Sequence, residues 1–410
     1  MSQHTEVASQ PAQFFKKGLG LGEQVKGQLT RDYHSGLVEF VRANGHMIRV
    51  GDLHFHLAKE FGFCYGVDRA VDYAYQTREK FPDRRIFLTG EIIHNPHVNR
   101  RMLEMDIHFL YGQYAEVEGY EQLTPEDVVI LPAFGVPHND LKRLAALGCI
   151  LVDTTCGSVL NVWKRVEQYA RDGFTSVIHG KYSHEETKAT SSQATKYPNG
   201  HYLIVRDMEQ ADKVCDFILG RWPRAAFMEF FANSISPGFD PDAHLKKIGV
   251  ANQTTMLSGE SLAIAGRLRH CIAERFGEEN ADAHFRTFDT ICSATQERQD
   301  AVIELVRQKL DVMLIIGGYN SSNTTHLAEI SGEHVRTFHI DDAACILSLE
   351  AIRHQPVSKH DEVIAHAWLP SGEVRIGLTA GASTPNNKIG ETIERIMKLR
   401  GERLEEWMKR

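Results

Sequence analysis

Short apolar runs that alternate with amphipathic helical patterns constrain the fold of this chain more than any other feature. Six such runs are clear: RRIFLTG, DVVILPAFG, TSVIHGK, KIGVANQTT, DVMLIIGG and VRIGLTAG. Each is followed by a polar or glycine-rich turn, and helical patterns follow most of them. Near-continuous apolar strands that alternate with helices are typical of parallel sheets covered on both faces. The pattern therefore predicts an α/β fold with small, mostly parallel sheets flanked by helices.

The composition bounds the class of protein. The chain has 410 residues, 42% of them hydrophobic, so it is long enough to form several domains. A formal net charge of −8 argues against a protein that binds nucleic acid or an anionic membrane. No apolar run approaches the length of a membrane span. Seven thinly spread cysteines are typical of a reducing compartment. We expect a cytoplasmic protein without nucleic-acid or membrane partners.

The first 52 residues differ from the rest and are interpreted as an N-terminal extension. The start lacks the apolar core of a secretory signal. The pattern DYHSGLVEFVRA predicts a helix over residues 32–43, and HMIRVGDLHFHL predicts a hairpin around Gly51 and Asp52.

Three of the cysteines stand at loop-to-helix junctions. Cys64 lies in FGFCYGVDR, Cys156 ends DTTC and Cys292 ends DTIC, and a helical pattern follows each. A helix N-terminus stabilises a thiolate through its N–H groups and the positive end of its dipole. One such cysteine could simply be a small buried residue, but three together indicate a shared metal site and a coarse internal triplication. The other four are interpreted as packing residues: Cys149, Cys215, Cys271 and Cys345.

The spacing of the three cysteines leaves the identity of the metal open. Zinc knuckles take their ligands in closely spaced pairs, which these cysteines are not. Three separated thiolates can hold a [4Fe–4S] cluster with one iron open to substrate. They can also hold zinc with an open fourth position, as in a hydrolase or lyase. An iron–sulfur sensor or electron carrier without catalytic activity is a third interpretation.

Polar motifs follow several of the predicted strands, at the edge where open α/β sheets bind ligands. GGYNSSNTTHLAE (317–329) and GLTAGASTPNN (377–387) present N–H groups, hydroxyls and an amide to an anion, although such residues also serve as plain N-caps. Neither motif has a Walker lysine, which favours a diphosphate bound by neutral donors. His94 and His184 lie in similar places and are either anion partners or hydrogen-bonded fixtures.

Glu186 has two interpretations. Ser183 and Glu186 have the spacing of a capping box, in which the glutamate has a purely structural use. Alternatively, Glu186 is a proton donor in the pocket. Thr254 and Thr255, at the end of KIGVANQTT, can relay a proton or bond the next turn.

Together these motifs resemble the 4-hydroxy-3-methylbut-2-enyl diphosphate reductase family, which acts last in the methylerythritol phosphate route to isoprenoids. GFCYGVDRA, EIIHN, DTTC, HEET, NQTTM, ICSATQERQDAV, GGYNSSNTTHL and TAGAS match in order, from about residue 53 to 390. The extension and the wording IHGKYSHEETKATSS resemble the longer branch of this family, found in phototrophs and some other bacteria.

The resemblance implies three pseudo-threefold-related α/β domains arranged as a trefoil around a central cavity. The implied ranges are an extension at 1–52, domains at 53–156, 157–288 and 289–377, and a segment at 378–410 that returns toward the central site. It also implies one [4Fe–4S] cluster held by Cys64, Cys156 and Cys292, with the fourth iron open to substrate.

The implied reaction is a two-electron reductive dehydration of an allylic diphosphate, giving isopentenyl diphosphate and dimethylallyl diphosphate. A low-potential donor such as ferredoxin or flavodoxin would supply the electrons. The resemblance implies that Glu186 delivers a proton together with Thr254. The residues implied to hold the diphosphate are His94, His184, Ser321, Asn323 and Ser383, with Ser322 nearby.

Two positions depart from the family pattern. Phe134 stands where the short bacterial form carries a histidine, so it cannot donate to the diphosphate. Gly157 stands where the family commonly has proline after the cysteine, which we expect to loosen that turn.

Overall fold

A computed structural model describes residues 13–402, apart from residues 117, 289, 358 and 360. The strands are β1 (Phe14–Phe15), β2 (Met47–Val50), β3 (Leu53–Leu57), β4 (Ile86–Leu88), β5 (Ile107–Phe109), β6 (Val128–Leu131), β7 (Ile150–Asp153), β8 (Thr175–His179), β9 (Tyr202–Val205), β10 (Ile248–Asn252), β11 (Phe285–Thr287), β12 (Val312–Ile316), β13 (Thr337–Ile340), β14 (Ala351–His354), β15 (Val363–His366) and β16 (Val374–Ala380). The helices are α1 (Gly22–Tyr33), α2 (Gly36–Ala43), α3 (Tyr65–Lys80), α4 (Pro96–Glu104), α5 (His138–Leu147), α6 (Gly157–Arg171), α7 (Glu185–Ala194), α8 (Met208–Ile218), α9 (Arg224–Phe230), α10 (Pro241–His244), α11 (Ser258–Phe276), α12 (Ala281–His284), α13 (Ser293–Val306), α14 (Ser322–Gly332) and α15 (Asn387–Leu399).

The strands form three small sheets that share one strand order. The first sheet is β1-β7-β6-β4-β5, the second is β11-β10-β8-β9, and the third is β13-β12-β16-β3-β2. Each contains four parallel strands in the spatial order second, first, third, fourth along the chain, if β3 counts as the fourth strand of the third sheet. The predicted α/β class with small, mostly parallel sheets is confirmed, and the common order supports an internal triplication.

The predicted extension contributes strands to two of these sheets. Phe14 and Phe15 pair in parallel with β7, and β2 pairs with β3 as the predicted antiparallel hairpin. Gly51 has a φ of 56° at the turn of this hairpin, a conformation that favours glycine. Residues 1–12 of the extension and residues 403–410 of the C-terminal segment lie outside the described residues.

The helix predicted over residues 32–43 is confirmed for Gly36–Ala43, but its predicted start at residue 32 is wrong. Helix α1 ends at Tyr33 and α2 begins at Gly36, with His34 and Ser35 in extended backbone between them. The Ser35 hydroxyl accepts a hydrogen bond from the Val38 N–H at 3.3 Å, so a new helix starts there. An N-cap serine inside an apolar-periodic stretch therefore outweighs the continuous helical pattern.

The central strands carry the core of each sheet. Strands β4, β6, β8, β10 and β12 are buried at every residue, and β16 is buried except at Arg375. Complete burial of one such Val, Ile or Leu side chain contributes about 1.5–3 kcal/mol. Helices cover these strands, which explains why their sequences read as unbroken apolar runs.

The helix after a fourth strand packs on the following sheet. Helix α6 buries Val162, Val166 and Tyr169 against the second sheet, and Tyr169 donates to the Val250 carbonyl at 3.0 Å. Gly249 makes room for this ring, since a Cβ there would meet it at 2.5 Å. Helix α13 packs in the same way on β12 of the third sheet. The loops that precede these helices, which contain the predicted cysteine ligands, are thereby anchored on both sides.

By their internal contacts, the described residues form two compact units. One comprises the residues up to Gly20, Gln76–Ile92 and Arg101–Cys292, and contains the first and second sheets. The other comprises Leu21–Tyr75, Ile93–Arg100 and the described residues from Ser293 onward, and contains the third sheet. The predicted division at residues 53–156, 157–288 and 289–377 stays a prediction. Within the described ranges, the helices lack the combination of length and apolar character that a bilayer crossing needs.

Candidate active site

The three sheets present their predicted site residues at equivalent positions. The loops after the fourth strands contain Cys156, Cys292 and Cys64, and in each case a helix begins at the next residue. The loops after the first strands contain His94, His184 and Ser321, and those after the third strands contain Phe134, Thr254 and Ser383. In sheets of this order the first and third strands flank the point where ligands bind. The topology thus accounts for the spacing of the motifs.

The three predicted cysteine ligands differ from the other four cysteines. Cys64, Cys156 and Cys292 are half-buried, whereas the others lie fully in the core, as predicted. Burial raises the pKa of the Cys149 thiol to about 11, and the hydrogen bond to Cys271 together with burial raises the pKa of Cys215. Such thiols stay protonated at neutral pH. The half-buried thiols at helix starts are better suited to bind a metal as thiolates.

Within the first unit, the loops of Cys156 and Cys292 lie against each other. The Ser158 hydroxyl, in the first turn of α6, donates to the Cys292 Sγ at 3.4 Å. Cys156 is the N-cap of α6, and its N–H donates to the Ala133 carbonyl at 2.9 Å. Gly157 is the first residue of this helix, and a Cβ there would meet nothing within 4 Å. The Cys156 loop is therefore held by main-chain contacts despite the glycine.

Glu186 and Thr254 form a buried pair in the same unit. The Thr254 N–H donates to Glu186 Oε1 at 2.6 Å, and its hydroxyl donates to Oε2 at 3.0 Å. Glu186 is only 1% exposed. The Thr254 carbonyl accepts from the Cys292 N–H at 3.5 Å. A buried carboxyl group is thus linked through one threonine to a predicted metal ligand.

The capping-box interpretation of Ser183 and Glu186 is wrong. Helix α7 begins at Glu185 with His184 as its N-cap, so Glu186 is the second helical residue and not the third. The His184 Nδ1 accepts the Glu186 N–H at 3.1 Å. This bond assigns the ring proton to Nε2, which can then donate to an anion. The helix start therefore fixes the orientation of His184.

Phe134, which stands where the resemblance implies a histidine in the short bacterial form, packs on His184. Their ring centroids lie 5.6 Å apart at an interplanar angle of 81°. An edge-to-face contact of this kind stabilises the orientation of the imidazole. Phe134 therefore holds the imidazole of His184, a predicted diphosphate donor, and is not itself a donor.

Four of the predicted diphosphate contacts come together in the second unit. The Ser383 hydroxyl contacts the His94 carbonyl oxygen at 3.0 Å and the Ser321 hydroxyl at 3.3 Å. Ser321 is the N-cap of α14 and accepts from the Thr324 N–H. Ser322 begins that helix and is buried. The N-cap interpretation is confirmed for Ser321 and is wrong for Ser383, because Asn386 is the N-cap of α15. Ser383 instead contacts Ser321 at the N-terminus of α14.

Asn323 links this group to the loop of Cys64. Its Oδ1 accepts the Ala382 N–H at 2.8 Å, and the Ala382 carbonyl accepts the Cys64 N–H at 3.1 Å. Its Nδ2 is buried and has no hydrogen-bond partner among the described residues. Gly381 permits this approach, since a Cβ there would overlap the Thr324 side chain. A buried donor of this kind indicates a missing acceptor.

Sequence reasoning missed several residues of this site. Ser158 and Arg298 each lie close in sequence to a predicted ligand, Cys156 and Cys292 respectively, and that proximity was the available signal. Asn320, whose Nδ2 lies 3.3 Å from His94 Nδ1, is part of a motif already noted for its neighbours. Their roles depend on long-range contacts, which motif spacing does not encode.

The family comparison agrees with this geometry. The family model described as LytB protein matches residues 55–397 of the chain. The chain belongs to the LytB family. Two relatives are both named 4-hydroxy-3-methylbut-2-enyl diphosphate reductase. The protein from Thermosynechococcus vestitus is 48% identical over 388 residues, covering 94% of this chain and 95% of the relative. The protein from Gloeobacter violaceus is 46% identical over 396 residues, covering 96% and 94%.

Solved structures with the same fold include two reductases. One, titled as (E)-4-hydroxy-3-methyl-but-2-enyl diphosphate reductase, the terminal enzyme of the non-mevalonate pathway, is 27% identical with a TM-score of 0.52, covering 85% of this chain and all of that one. Another, the E-1-hydroxy-2-methyl-but-2-enyl-4-diphosphate reductase from Plasmodium falciparum, has a TM-score of 0.60 at 20% identity, covering 84% and 87%. At that identity the second likeness concerns the fold alone. The LytB assignment therefore rests on the family match and the full-length relatives.

Proposed function

We infer that this chain is an oxidoreductase that converts 4-hydroxy-3-methylbut-2-enyl diphosphate to isopentenyl diphosphate and dimethylallyl diphosphate by reductive dehydration. The observation that carries the inference is the LytB match over residues 55–397, together with relatives of this name that are nearly half identical over the full chain. In this role the enzyme catalyses the last step of the methylerythritol phosphate pathway.

We propose that Cys64, Cys156 and Cys292 ligate one [4Fe–4S] cluster, with the fourth iron open to substrate. The donor set fits this group, because each thiol is half-buried and next to a helix N-terminus at an equivalent place after its sheet. The contact of Ser158 with Cys292 adds a hydrogen bond to a ligand sulfur, which tunes such clusters. When bound, the cluster supplies single electrons and a Lewis-acidic iron at which the substrate hydroxyl leaves.

The diphosphate is bound by neutral and imidazole donors in this proposal. The proposed contacts are His94, His184, Ser321, Ser322, Asn323 and Ser383. Support comes from the convergence of Ser321 and Ser383 at the N-terminus of α14, where the helix dipole favours an anion. The buried Nδ2 of Asn323 is a ready donor to a phosphate oxygen. Holding the unreactive end of the substrate provides the binding energy that orients the reacting end.

Glu186 is the proposed proton donor. Its Oε2 lies 3.0 Å from the Thr254 hydroxyl, which can receive the carboxyl proton and pass its own proton to the departing hydroxyl of the substrate. Burial of Glu186 keeps bulk water from exchanging that proton. A low-potential ferredoxin or flavodoxin is the proposed electron donor. A reducing, cytoplasmic location is supported by the seven cysteines, which form no disulfide.

Metal analysis tests this function. After anaerobic purification we expect about four irons and about four acid-labile sulfides per chain, and turnover of the diphosphate only with a low-potential donor. One zinc without labile sulfide would instead favour a hydrolase or lyase. An iron-free preparation with full reductase activity would refute the proposal.

The Asn323→Asp variant tests the diphosphate contact. Aspartate keeps the acceptor for the Ala382 N–H, but it replaces the buried Nδ2 donor with an oxygen next to the anion. A hydrogen bond to a charged group contributes about 1.5–3 kcal/mol, so we expect KM to rise roughly 10- to 150-fold. Steady-state kinetics and inhibition by inorganic diphosphate measure this. Asn44→Asp, an exposed change of the same charge at a helix end, should leave KM unchanged.

A further inference from the structure

Arg298 is a buried arginine whose guanidinium lies against the main chain beside a proposed cluster ligand. It is 3% exposed and belongs to α13, six residues after Cys292. Its Nε and Nη2 donate to the Gly62 carbonyl at 3.2 and 2.7 Å, and Nη2 also donates to the Phe63 carbonyl at 3.2 Å. Phe63 immediately precedes Cys64.

The same guanidinium also bonds the start of its own helix. Nη1 donates to the Ala294 carbonyl at 2.8 Å, and Ala294 is two residues after Cys292. One side chain thus joins the main chain one residue before Cys64 to the main chain two residues after Cys292.

The loop of Cys64 is held from its opposite side by β16. The Gly62 N–H donates to the Ala380 carbonyl at 3.3 Å, and the Cys64 N–H donates to the Ala382 carbonyl at 3.1 Å. Gly62 has a φ of 78°, which turns its carbonyl toward Arg298 and favours glycine at this place. The N–H groups of the loop therefore face β16 while its carbonyl groups face the guanidinium. The main chain around Cys64 is thus held by two sets of contacts.

We propose that Arg298 is a positioning residue for the cluster-ligand loops and that its charge raises the reduction potential of the bound cluster. This inference rests on the proposed function, because it requires Cys64 and Cys292 to be cluster ligands. Groups behind a ligand orient it and tune the metal. A guanidinium is charged at every physiological pH, and its planar fork can hold two carbonyls at once.

The direction of the effect follows from charge. Reduction adds one negative charge to the cluster, and a buried cation near its ligands stabilises that charge. Methionine is neutral and of similar length, so Arg298→Met removes both the positive charge and the N–H groups that bind the carbonyls. Lysine restores the charge without the fork, because one ammonium cannot hold the Gly62 and Phe63 carbonyls in the same fixed geometry.

The test compares Arg298→Met and Arg298→Lys with the unaltered chain, purified anaerobically and without substrate. For Arg298→Met we expect the ratio of reduced to oxidised cluster at a fixed potential to fall about tenfold, which corresponds to about 59 mV for a one-electron couple. Redox titration followed by electron paramagnetic resonance measures the ratio. For Arg298→Lys we expect a ratio within about twofold of the unaltered chain, and several-fold faster loss of iron to a chelator.

Arg336→Met is the matched control. Arg336 also donates to two consecutive carbonyls, those of His366 and Ala367, but these are remote in sequence from the three cysteines. This variant should keep the cluster potential and the rate of iron loss. A shift equal to that of Arg298→Met would overturn the inference, and so would an unchanged potential in Arg298→Met.

The lysine variant decides the matter if Arg298→Met does not fold, because iron loss no faster than in the unaltered chain would also overturn the inference. An unaltered chain that binds no cluster removes the proposed function as well. If the unaltered chain has the cluster and turns over, and the Arg298 variants keep its cluster potential and its rate of iron loss, then only the role of Arg298 is removed.

Discussion

Replacing Glu186 with glutamine is expected to lower turnover about 10²- to 10⁴-fold while the cluster stays intact, the range that a positioned proton donor contributes. Glutamine keeps a carbonyl oxygen for the Thr254 N–H, and its size matches the buried position of Glu186. It lacks the carboxyl proton that the Thr254 hydroxyl would receive. The defect should therefore appear in kcat, with little change in KM, in an anaerobic assay with a chemical reductant.

Glu209→Gln is the control for this variant. Glu209 also lies in the first turn of a helix, α8, but it is exposed. We expect it to retain nearly full turnover. Absorbance and iron content of both variants should equal those of the unaltered chain. Ordinary turnover in Glu186→Gln would leave that residue a purely structural partner of Thr254.

The second large effect is expected from serine replacements of the three proposed ligands. Cys64→Ser, Cys156→Ser and Cys292→Ser should each lose most of the iron and nearly all turnover, because iron–sulfur clusters are held by cysteine thiolates and a serine hydroxyl is a poor substitute for that ligand. Iron and sulfide content together with the visible absorbance of anaerobic preparations measure this loss.

Cys215→Ser is the control for the ligand series. Cys215 is fully buried in the core of the second sheet and contacts Cys271, so its change should affect stability modestly and leave the cluster in place. Circular dichroism on all four variants separates a loss of metal from a loss of fold. Equal iron loss in Cys215→Ser and the other three would show that the ligand assignment is wrong.

The six strands that the sequence revealed are the first and third strands of the three sheets. These strands are central, so helices bury both of their faces and the sequence reads as an unbroken apolar run. The strands missed are edge or outer strands such as β5 and β11, which have three residues each and partly exposed patterns. A short strand with one solvent-exposed face contains too few apolar residues to give a recognisable sequence pattern. The strand order was equally hidden, since it depends on pairing between distant segments.

The candidate site was only partly predictable from strand patterns. Thr254 follows the central strand β10, whereas Cys156 follows β7, a fourth strand, and was found through the DTTC motif. Both of their loops contact the loop of Cys292, through the Ser158 hydroxyl and the Thr254 carbonyl. The capping-box alternative for Glu186 failed because local spacing does not reveal that His184 already caps the helix. The contacts of Arg298 were likewise not predictable from local sequence. A buried arginine reads as a surface residue in a helical pattern, and only the packed structure identifies the carbonyls that it binds.

The pairing of β3 with β16 has a consequence for the order in which the protein folds and binds metal. Leu53–Leu57 lies beside Val374–Ala380, and the main chain of Cys64 bonds to Ala382. Cys64 leaves the ribosome first of the three proposed ligands, yet the segment that seats it is synthesised more than three hundred residues later. A nascent chain can complete its first two sheets before the segment that bonds to the Cys64 main chain has been synthesised. On the proposed ligand assignment, metal can bind the complete set of three thiols only after Val374–Ala380 has been synthesised and has paired with Leu53–Leu57.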